Sequence, residues 1–347
     1  MTRRAQVVGT GLIGGSIGLA LRAAGWHVTG TDRNEAFAAR ALELGAIDAV
    51  GEDADAELTF VATPVGTVAE VAKGRPGVVT DVGSVKASIV TGVDHPQFVG
   101  GHPMAGSEQE GVDGSRADLF QGAVWVLTPV ATTDPAAHAL VRSTVSSFGA
   151  DVVELPPERH DALVAVVSHV PHLTAVSLMG LAAERSEEHV ALLRLAAGGF
   201  RDMTRIAAGH PGIWPDICAE NRDAITDTLD RLIDELGRVR AEVASGDRAG
   251  LLDTLTKARA ARVNLPVRVA PSSVVEVRVP VPDRPGVLAE ITTLASELAV
   301  NIHDLEIAHS AEGQAGVVLL FVDADHAERF TGGLVARGYK PTTRALE

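Results

Sequence analysis

Cysteine is nearly absent from this chain: Cys218 is the single one among 347 residues. An internal disulfide is therefore excluded, and a reducing compartment, the cytoplasm, is expected. Lysine is scarce as well, with none between Lys86 and Lys257. That excludes a lysine acid–base group across the middle of the chain. Positive charge is in the minority, with 30 Lys and Arg against 45 Asp and Glu and a formal net charge of −15. Neither a nucleic-acid backbone nor an anionic membrane is an expected partner. An acidic small molecule would need a locally basic site, which singles out the few arginines that lie near histidines. The start of the chain lacks the unbroken apolar core of a signal peptide, because a glycine loop cuts the first apolar run short. Tandem repeats and low-complexity tracts are missing too.

What is present reads as two or three domains at the usual ~100–200 residues each. Ala5–Val8, Trp26–Thr31, Leu58–Ala62, Val78–Asp81, Val99 and Val124–Leu127 read as short strands, with helices over Ser16–Ala24 and up to Leu44. Strands alternating with helices predict a parallel sheet covered on both faces. From Arg159 to about Val263 the text turns helical. Asp223–Val243 spaces Ile225, Leu229, Leu232, Ile233, Leu236 and Val239 as a helix does. Ala162–Ala183 holds no Asp, Glu, Lys or Arg and is about long enough to span a bilayer. With His169, Pro171 and His172 at its centre, it reads instead as a helix buried in protein. One copy of so apolar a block buries itself poorly, so a homodimer is expected. Residues 264–273 read as a linker. Beyond it come a strand at Val274–Val279, a turn at Asp283–Gly286, a helix at Val287–Leu298, strands at Ile302–His309 and Gly316–Asp323, and a last helix at Ala327–Arg337.

Gly9-Thr10-Gly11-Leu12-Ile13-Gly14 fits the G-x-G-x-x-G pattern of a dinucleotide turn. Gly9 allows the tight turn, Gly11 lets a pyrophosphate approach, and Gly14 lets helix and strand pack closely. The helix N-terminus after it offers free N–H groups to phosphate. Asp32 ends the next strand, where a carboxylate accepts from the adenosine ribose hydroxyls and repels a 2′-phosphate. NAD is thus favoured over NADP, although Arg33 beside it is the kind of residue that can hold that phosphate. Thr63-Pro64 and Ser84 each follow a strand, on the carboxyl edge where ligands sit in open α/β sheets. His102 leaves a strand on the same edge, where a base beside a nicotinamide ring has to be. No third ligand accompanies His169 and His172, so no metal is expected.

The segments Asp81-Val82-Gly83-Ser84-Val85-Lys86, Gly101-His102-Pro103-Met104-Ala105-Gly106-Ser107-Glu108, Ser168-His169-Val170-Pro171-His172 and Phe200-Arg201-Asp202-Met203-Thr204-Arg205-Ile206 resemble those of the prephenate and arogenate dehydrogenases of tyrosine biosynthesis. The resemblance covers nearly the whole chain. It implies a Rossmann-type NAD-binding domain (1–155), an all-helical substrate and dimerisation domain (156–265) and a C-terminal α+β, ferredoxin-like ACT domain (272–347). It implies oxidative decarboxylation of prephenate to 4-hydroxyphenylpyruvate. His102 would take the proton of the C4 hydroxyl, or hydrogen-bond it, and Ser84 would orient that hydroxyl. Arg205 would bind a carboxylate, and His172, with His169 the weaker candidate, would lie in the substrate pocket. Trp214 would wall the product, and Ser107 and Glu108 would line the mouth. Pro282-Asp283-Arg284-Pro285-Gly286-Val287-Leu288 resembles the opening of an ACT domain. Asp283, Arg284, Gly286, Val287, Leu288 and Asn301 are therefore effector-site candidates, with tyrosine as the effector. Arogenate is the alternative substrate. A non-catalytic sensor of NAD and amino acids and a generic β-hydroxyacid dehydrogenase are the other readings, and the missing lysine argues against the second.

Overall fold

The computed structural model describes residues 2–106, 109, 111–186, 198–263, 274–282, 284–309 and 315–345. Ser107, Glu108, Asp283 and the expected linker lie outside the described residues. The chain divides into two compact units, 1–238 and 239–347.

The first unit is built on an eight-stranded sheet in the order β3-β2-β1-β4-β5-β6-β7-β8. The strands are β1 (Arg4–Val8), β2 (His27–Thr31), β3 (Ala49–Val50), β4 (Leu58–Val61), β5 (Val78–Asp81), β6 (Phe98–Pro103), β7 (Val124–Thr128) and β8 (Asp151–Glu154). Every pairing is parallel except β6 with β7. An all-parallel sheet was the expectation. A parallel partner needs a crossover long enough to return to the same edge, whereas the segment after β6 brings the chain back the other way. The two shortest additions, β3 and β8, carry too little apolar pattern to stand out in the sequence. Helices α1 (Leu12–Ala23), α2 (Glu35–Glu43), α3 (Val68–Ala72), α4 (Ala87–Gly92) and α5 (Pro135–Ser147) link the strands. Asn34 caps α2 by accepting from Ala36 N at 3.1 Å, and Asp134 caps α5 from Ala137 N at 2.8 Å. Leu58, Phe60, Trp125, Phe120 and Phe148 fill the core behind the sheet.

Helix α1 starts at Leu12, not at Ser16, so Gly14 and Gly15 lie inside it. Gly14 has to be there: a Cβ would come within 1.8 Å of Gly9 O. Gly9 itself has φ +94° and leaves only 2.4 Å between a would-be Cβ and Ala62 O.

From Pro157 the chain is one helical rod to Glu184, made of α6 (Pro157–Val164), a π-helical turn (Ala165–His169) and α7 (Val170–Ser186). The rod is long and apolar enough to cross a membrane, and a third of its most apolar window, 33%, is buried within the chain. Val166, Val167, Val176 and Leu181 stay exposed. After the rod come α8 (Gly198–Thr204), a tight turn (Arg205–Ala208), α9 (Trp214–Glu220) and α10 (Arg222–Ser245). Ala165, Val170 and Ile225 pack with Leu173, Cys218 and Leu229.

The second unit carries α11 (Arg248–Val263) and a four-stranded antiparallel sheet in the order β10-β11-β9-β12. Its strands are β9 (Val274–Pro282), β10 (Ile302–His309), β11 (Ala315–Asp323) and β12 (Thr342–Ala345), with α12 (Val287–Glu297) and α13 (Ala324–Ala336) between them. Val277, Val279, Ile291, Leu320 and Phe330 form its core. β12 (Thr-Thr-Arg-Ala) completes a βαββαβ unit. It is an edge strand on β9, and its polar text hid it.

Candidate active site

Strands β1, β4, β5 and β6 end on one edge, since each runs parallel to its neighbour. The glycine turn lies there after β1. Gly11 caps α1 without a side chain, and a Cβ added to it would meet none of the described residues within 4 Å. The helix N-terminus is thus open to a diphosphate. Asp32, at the end of β2, accepts from Thr10 N at 2.8 Å and from Asn34 N at 2.9 Å. Those bonds fix its carboxylate beside the turn. Thr63 and Pro64 follow β4, where Thr67 Oγ1 meets Thr63 Oγ1 at 3.0 Å. These residues suit a dinucleotide: an open phosphate cradle, a carboxylate one strand over, and a polar loop between. Leu12 and Ile13 begin α1 itself.

The loop after β5 is bound to strand β6 by one buried ion pair. Asp81 and Lys86 are both fully buried. The Lys86 ammonium donates to Asp81 and, at 2.8 Å, to Gly101 O. Asp81 also accepts from Gly83 N at 2.8 Å and from Gly101 N at 3.1 Å. The loop that carries Ser84 is thereby tied to β6, the strand that carries His102. Burial pulls the Lys86 ammonium below the ordinary amine range, against the pull of Asp81 in the other direction.

His102, half-buried on β6, shares a 2.8 Å hydrogen bond between its Nδ1 and His160 Nε2. His160 Nδ1 lies 2.7 Å from Asp161 Oδ1. Asp161 in turn accepts from Lys86 N at 2.7 Å and Ala87 N at 2.8 Å. His160 and Asp161 sit on α6, with His160 fully buried. Burial is the main force holding His102 well below the usual imidazole range, and His160, Lys86 and His169 add to it. His102 is therefore neutral near pH 7.

The network runs on. Asn221 Nδ2 donates to Asp161 O at 3.0 Å and contacts His169 Nδ1 at 3.2 Å. His169 is 1% exposed and meets Trp214 edge-on. Burial brings its pKa down from 6.5 to about 4, with Asp161 pulling the other way. His172 stacks on Trp214 with ring centres 3.6 Å apart and planes at 10°, and burial lowers its pKa as well. Gly209, which follows the Arg205–Ala208 turn, comes within 3.8 Å of the His172 ring when given a Cβ. Arg205 opens that turn, which packs on α7, and its side chain is exposed.

His102, His172, His169 and Trp214 thus join one cluster. His160, Asp161, Asn221 and Lys86 belong to it too and were not singled out from sequence. The only textual trace of the first two is a His-Asp pair on the first turns of a helix, a pairing too common to stand out.

The effector candidates lie in the second unit. Gly286, at φ +92°, caps α12. Arg284 Nη2 donates to both Glu290 carboxylate oxygens, at 3.0 and 2.9 Å, and Glu290 also accepts from Tyr339 Oη at 2.5 Å. Val287 is buried in the core and Leu288 is exposed. Asn301 Nδ2 meets His303 Nδ1 at 3.2 Å.

A glycine-turn dinucleotide domain joined to helices, with a neutral histidine on the sheet's ligand edge, defines an NAD(P)-dependent dehydrogenase of the Rossmann type. Residues 17–154 match the family description "Prephenate dehydrogenase, nucleotide-binding domain", and residues 156–257 match "Prephenate dehydrogenase, dimerization domain". The prephenate dehydrogenase of Bacillus subtilis is 35% identical over 340 residues, which is 92% of each chain. The crystal structure of prephenate dehydrogenase from A. aeolicus, with hydroxyphenyl propionate and NAD+ bound, is 31% identical. It aligns at TM-score 0.71 over 76% of this chain and 98% of that one. Synechocystis arogenate dehydrogenase is 29% identical, at TM-score 0.64 over 75% and 98% of the two chains. The chain belongs to the prephenate dehydrogenase family.

Proposed function

We propose that this enzyme oxidises prephenate with NAD+ in tyrosine biosynthesis, and that His102 is its base. The observation carrying the assignment of the base is the placement of His102: a neutral imidazole on the same strand-end edge as the Gly9–Gly14 turn. The turn, Asp32, Thr63 and Pro64 hold the dinucleotide, and NAD+ when bound supplies the acceptor for the hydride that leaves C4. His102 takes the hydroxyl proton as the C4 oxygen becomes a carbonyl. That carbonyl draws in the electron pair released when the ring carboxylate leaves as CO2. The ring becomes aromatic, and His102 returns its proton to the phenolate oxygen, so the base ends the cycle as it began. Such a base contributes ~10²–10⁴-fold. Ser84 orients the hydroxyl. Arg205 grips a carboxylate by charge-assisted hydrogen bonds. The stacked His172–Trp214 pair walls the ring, and Ser107 and Glu108 line the mouth.

The assembly is a homodimer, with the exposed apolar side of the Pro157–Glu184 rod covered by a second copy. The domains divide as 1–155, 156–265 and 272–347. The last is an ACT unit that binds tyrosine at its Asp283–Leu288 loop and Asn301. The lone cysteine accords with a reducing compartment such as the cytoplasm.

Initial rates of NADH formation with prephenate and with arogenate, at equal concentrations, test the substrate. A higher kcat/KM on prephenate is expected. Preference for arogenate would keep the chemistry and move the specificity to a group that meets the amine. No turnover on either would overturn the proposal.

A further inference from the structure

The proton positions in the His102–His160–Asp161 chain follow from counting donors and acceptors. Asp161 accepts a backbone N–H on each of its carboxylate oxygens, from Lys86 on Oδ1 and from Ala87 on Oδ2. An ionised carboxylate can only accept. The His160 nitrogen facing it, Nδ1, must then carry the proton. A neutral His160 has one N–H, so its Nε2 is bare and can only accept. His102 Nδ1, 2.8 Å from that bare nitrogen, must be the donor. His102 therefore carries its single proton on Nδ1 and presents an unprotonated Nε2.

We infer that His160 and Asp161 are positioning residues that hold His102 in the Nδ1–H tautomer, so that Nε2 is the base. The inference rests on the reading of His102 given above and adds which atom of the ring reacts and what fixes it. Without the pair, no hydrogen bond among the described residues keeps the proton off Nε2, and a ring protonated there cannot accept the C4 hydroxyl proton through that atom. In the cycle, the substrate O–H bond breaks and an Nε2–H bond forms. His102 Nδ1–H stays on His160 throughout, and the imidazolium so formed donates through it toward the Asp161 charge. Returning the proton to the phenolate restores the starting tautomer. No further acceptor or donor is needed.

The charged and titratable groups facing His102 come from four places. Among the described residues they are His160 on α6, Lys86 ahead of α4 and His169 on the π-helical turn, with Asp161 bonded to His160 and Asp81 gripping the neighbouring Gly101 N–H. Lys86 and the two histidines disfavour a positive charge on His102, and Asp161 is the carboxylate that His160, its hydrogen-bond partner, is bonded to on the other side. The pair therefore sets both the tautomer and the cost of charging the ring.

The test uses the full-length enzyme labelled with ¹⁵N-histidine. The ring shifts of His102, assigned by loss of its signals in His102→Asn, report which nitrogen is protonated without any substrate present. The tautomer is thus read apart from the identity of the hydroxy acid oxidised. Wild type is expected to show protonated Nδ1 and bare Nε2 near neutral pH. His160→Gln, which keeps an acceptor for Nδ1–H, should retain the tautomer and turnover within a few-fold. His160→Leu, which removes the acceptor, should lose the tautomer. Its kcat should fall between about 10-fold and 1,000-fold, with KM for both substrates within about twofold. The acid limb of kcat should move to lower pH in Asp161→Asn, because the carboxylate no longer stabilises the charged ring. Protonated Nε2 in the wild type overturns the inference, as do equal losses in the Gln and Leu variants. Should His160→Leu fail to fold, the wild-type tautomer and the Gln variant decide the matter.

Discussion

Two clusters of charged and polar side chains can be compared within this protein, one in each unit. Around His102, the groups Asp81, Lys86, His160 and Asp161 are buried and bonded to one another. Around Glu290 in the C-terminal unit, Arg284 and Tyr339 make bonds of similar length at the surface, with Arg337 at 3.4 Å from the Glu290 carbonyl. Geometry on paper is alike. The consequences differ because water screens the second cluster and is kept from the first. In the buried cluster, desolvation dominates: it neutralises His102 and His169 and makes every lost partner costly. In the exposed one, the bond from Tyr339 and then that from Arg284 lower the Glu290 pKa without any large burial effect. A polar cluster becomes chemistry only where the fold removes its solvent.

The largest expected effect breaks the buried cluster at its reacting end. His102→Asn should keep NAD+ and prephenate binding and lower kcat by about 10²–10⁴-fold. Single-turnover kinetics check this, and unchanged turnover would remove His102 from the mechanism.

A middle-sized effect concerns pH. The His169 pKa falls from 6.5 in the unfolded chain to about 4 in the fold, so the neutral ring is the stable form. Its contribution is fully present above pH 6.5 and drains away as pH falls toward 4, where the unfolded state alone binds the proton. At ~1.4 kcal/mol per pKa unit, the wild type should lose on the order of 2–3 kcal/mol across that window from this group. His169→Asn keeps an acceptor for Asn221 but does not titrate. Its urea midpoint should fall less steeply over the same range, and parallel curves would count against the assignment.

The smallest effect belongs to the exposed cluster. Glu290→Gln should barely change the thermal midpoint of the C-terminal unit, and the change should shrink further at about 1 M salt. A large, salt-independent loss would mean that this cluster is not a screened surface device.

Legibility in the sequence followed the range of the interactions. The Gly9–Gly14 turn, Asp32, and the strand exits at Thr63, Ser84 and His102 were readable because each is a local device: a turn, a helix start, a strand end. The C-terminal βαββα run was readable from alternation and turn chemistry. β12 escaped because an edge strand needs few apolar residues. The antiparallel β6–β7 pairing escaped because strand direction is set by the path of the connection, not by the strand's own text.

The amino-acid sequence by itself determined the alternating elements, the phosphate cradle and the histidines available for proton transfer, since these depend on backbone conformation and residue chemistry over a few positions. Only the tertiary structure decided which histidine is linked to which. His160 lies 58 residues from His102, and Asp161 lies 75 from Lys86. Burial, not sequence distance, makes those partners matter. A neutral base, a fixed tautomer and a buried ion pair arise only when α6 closes over the ends of β5 and β6 and takes the water away.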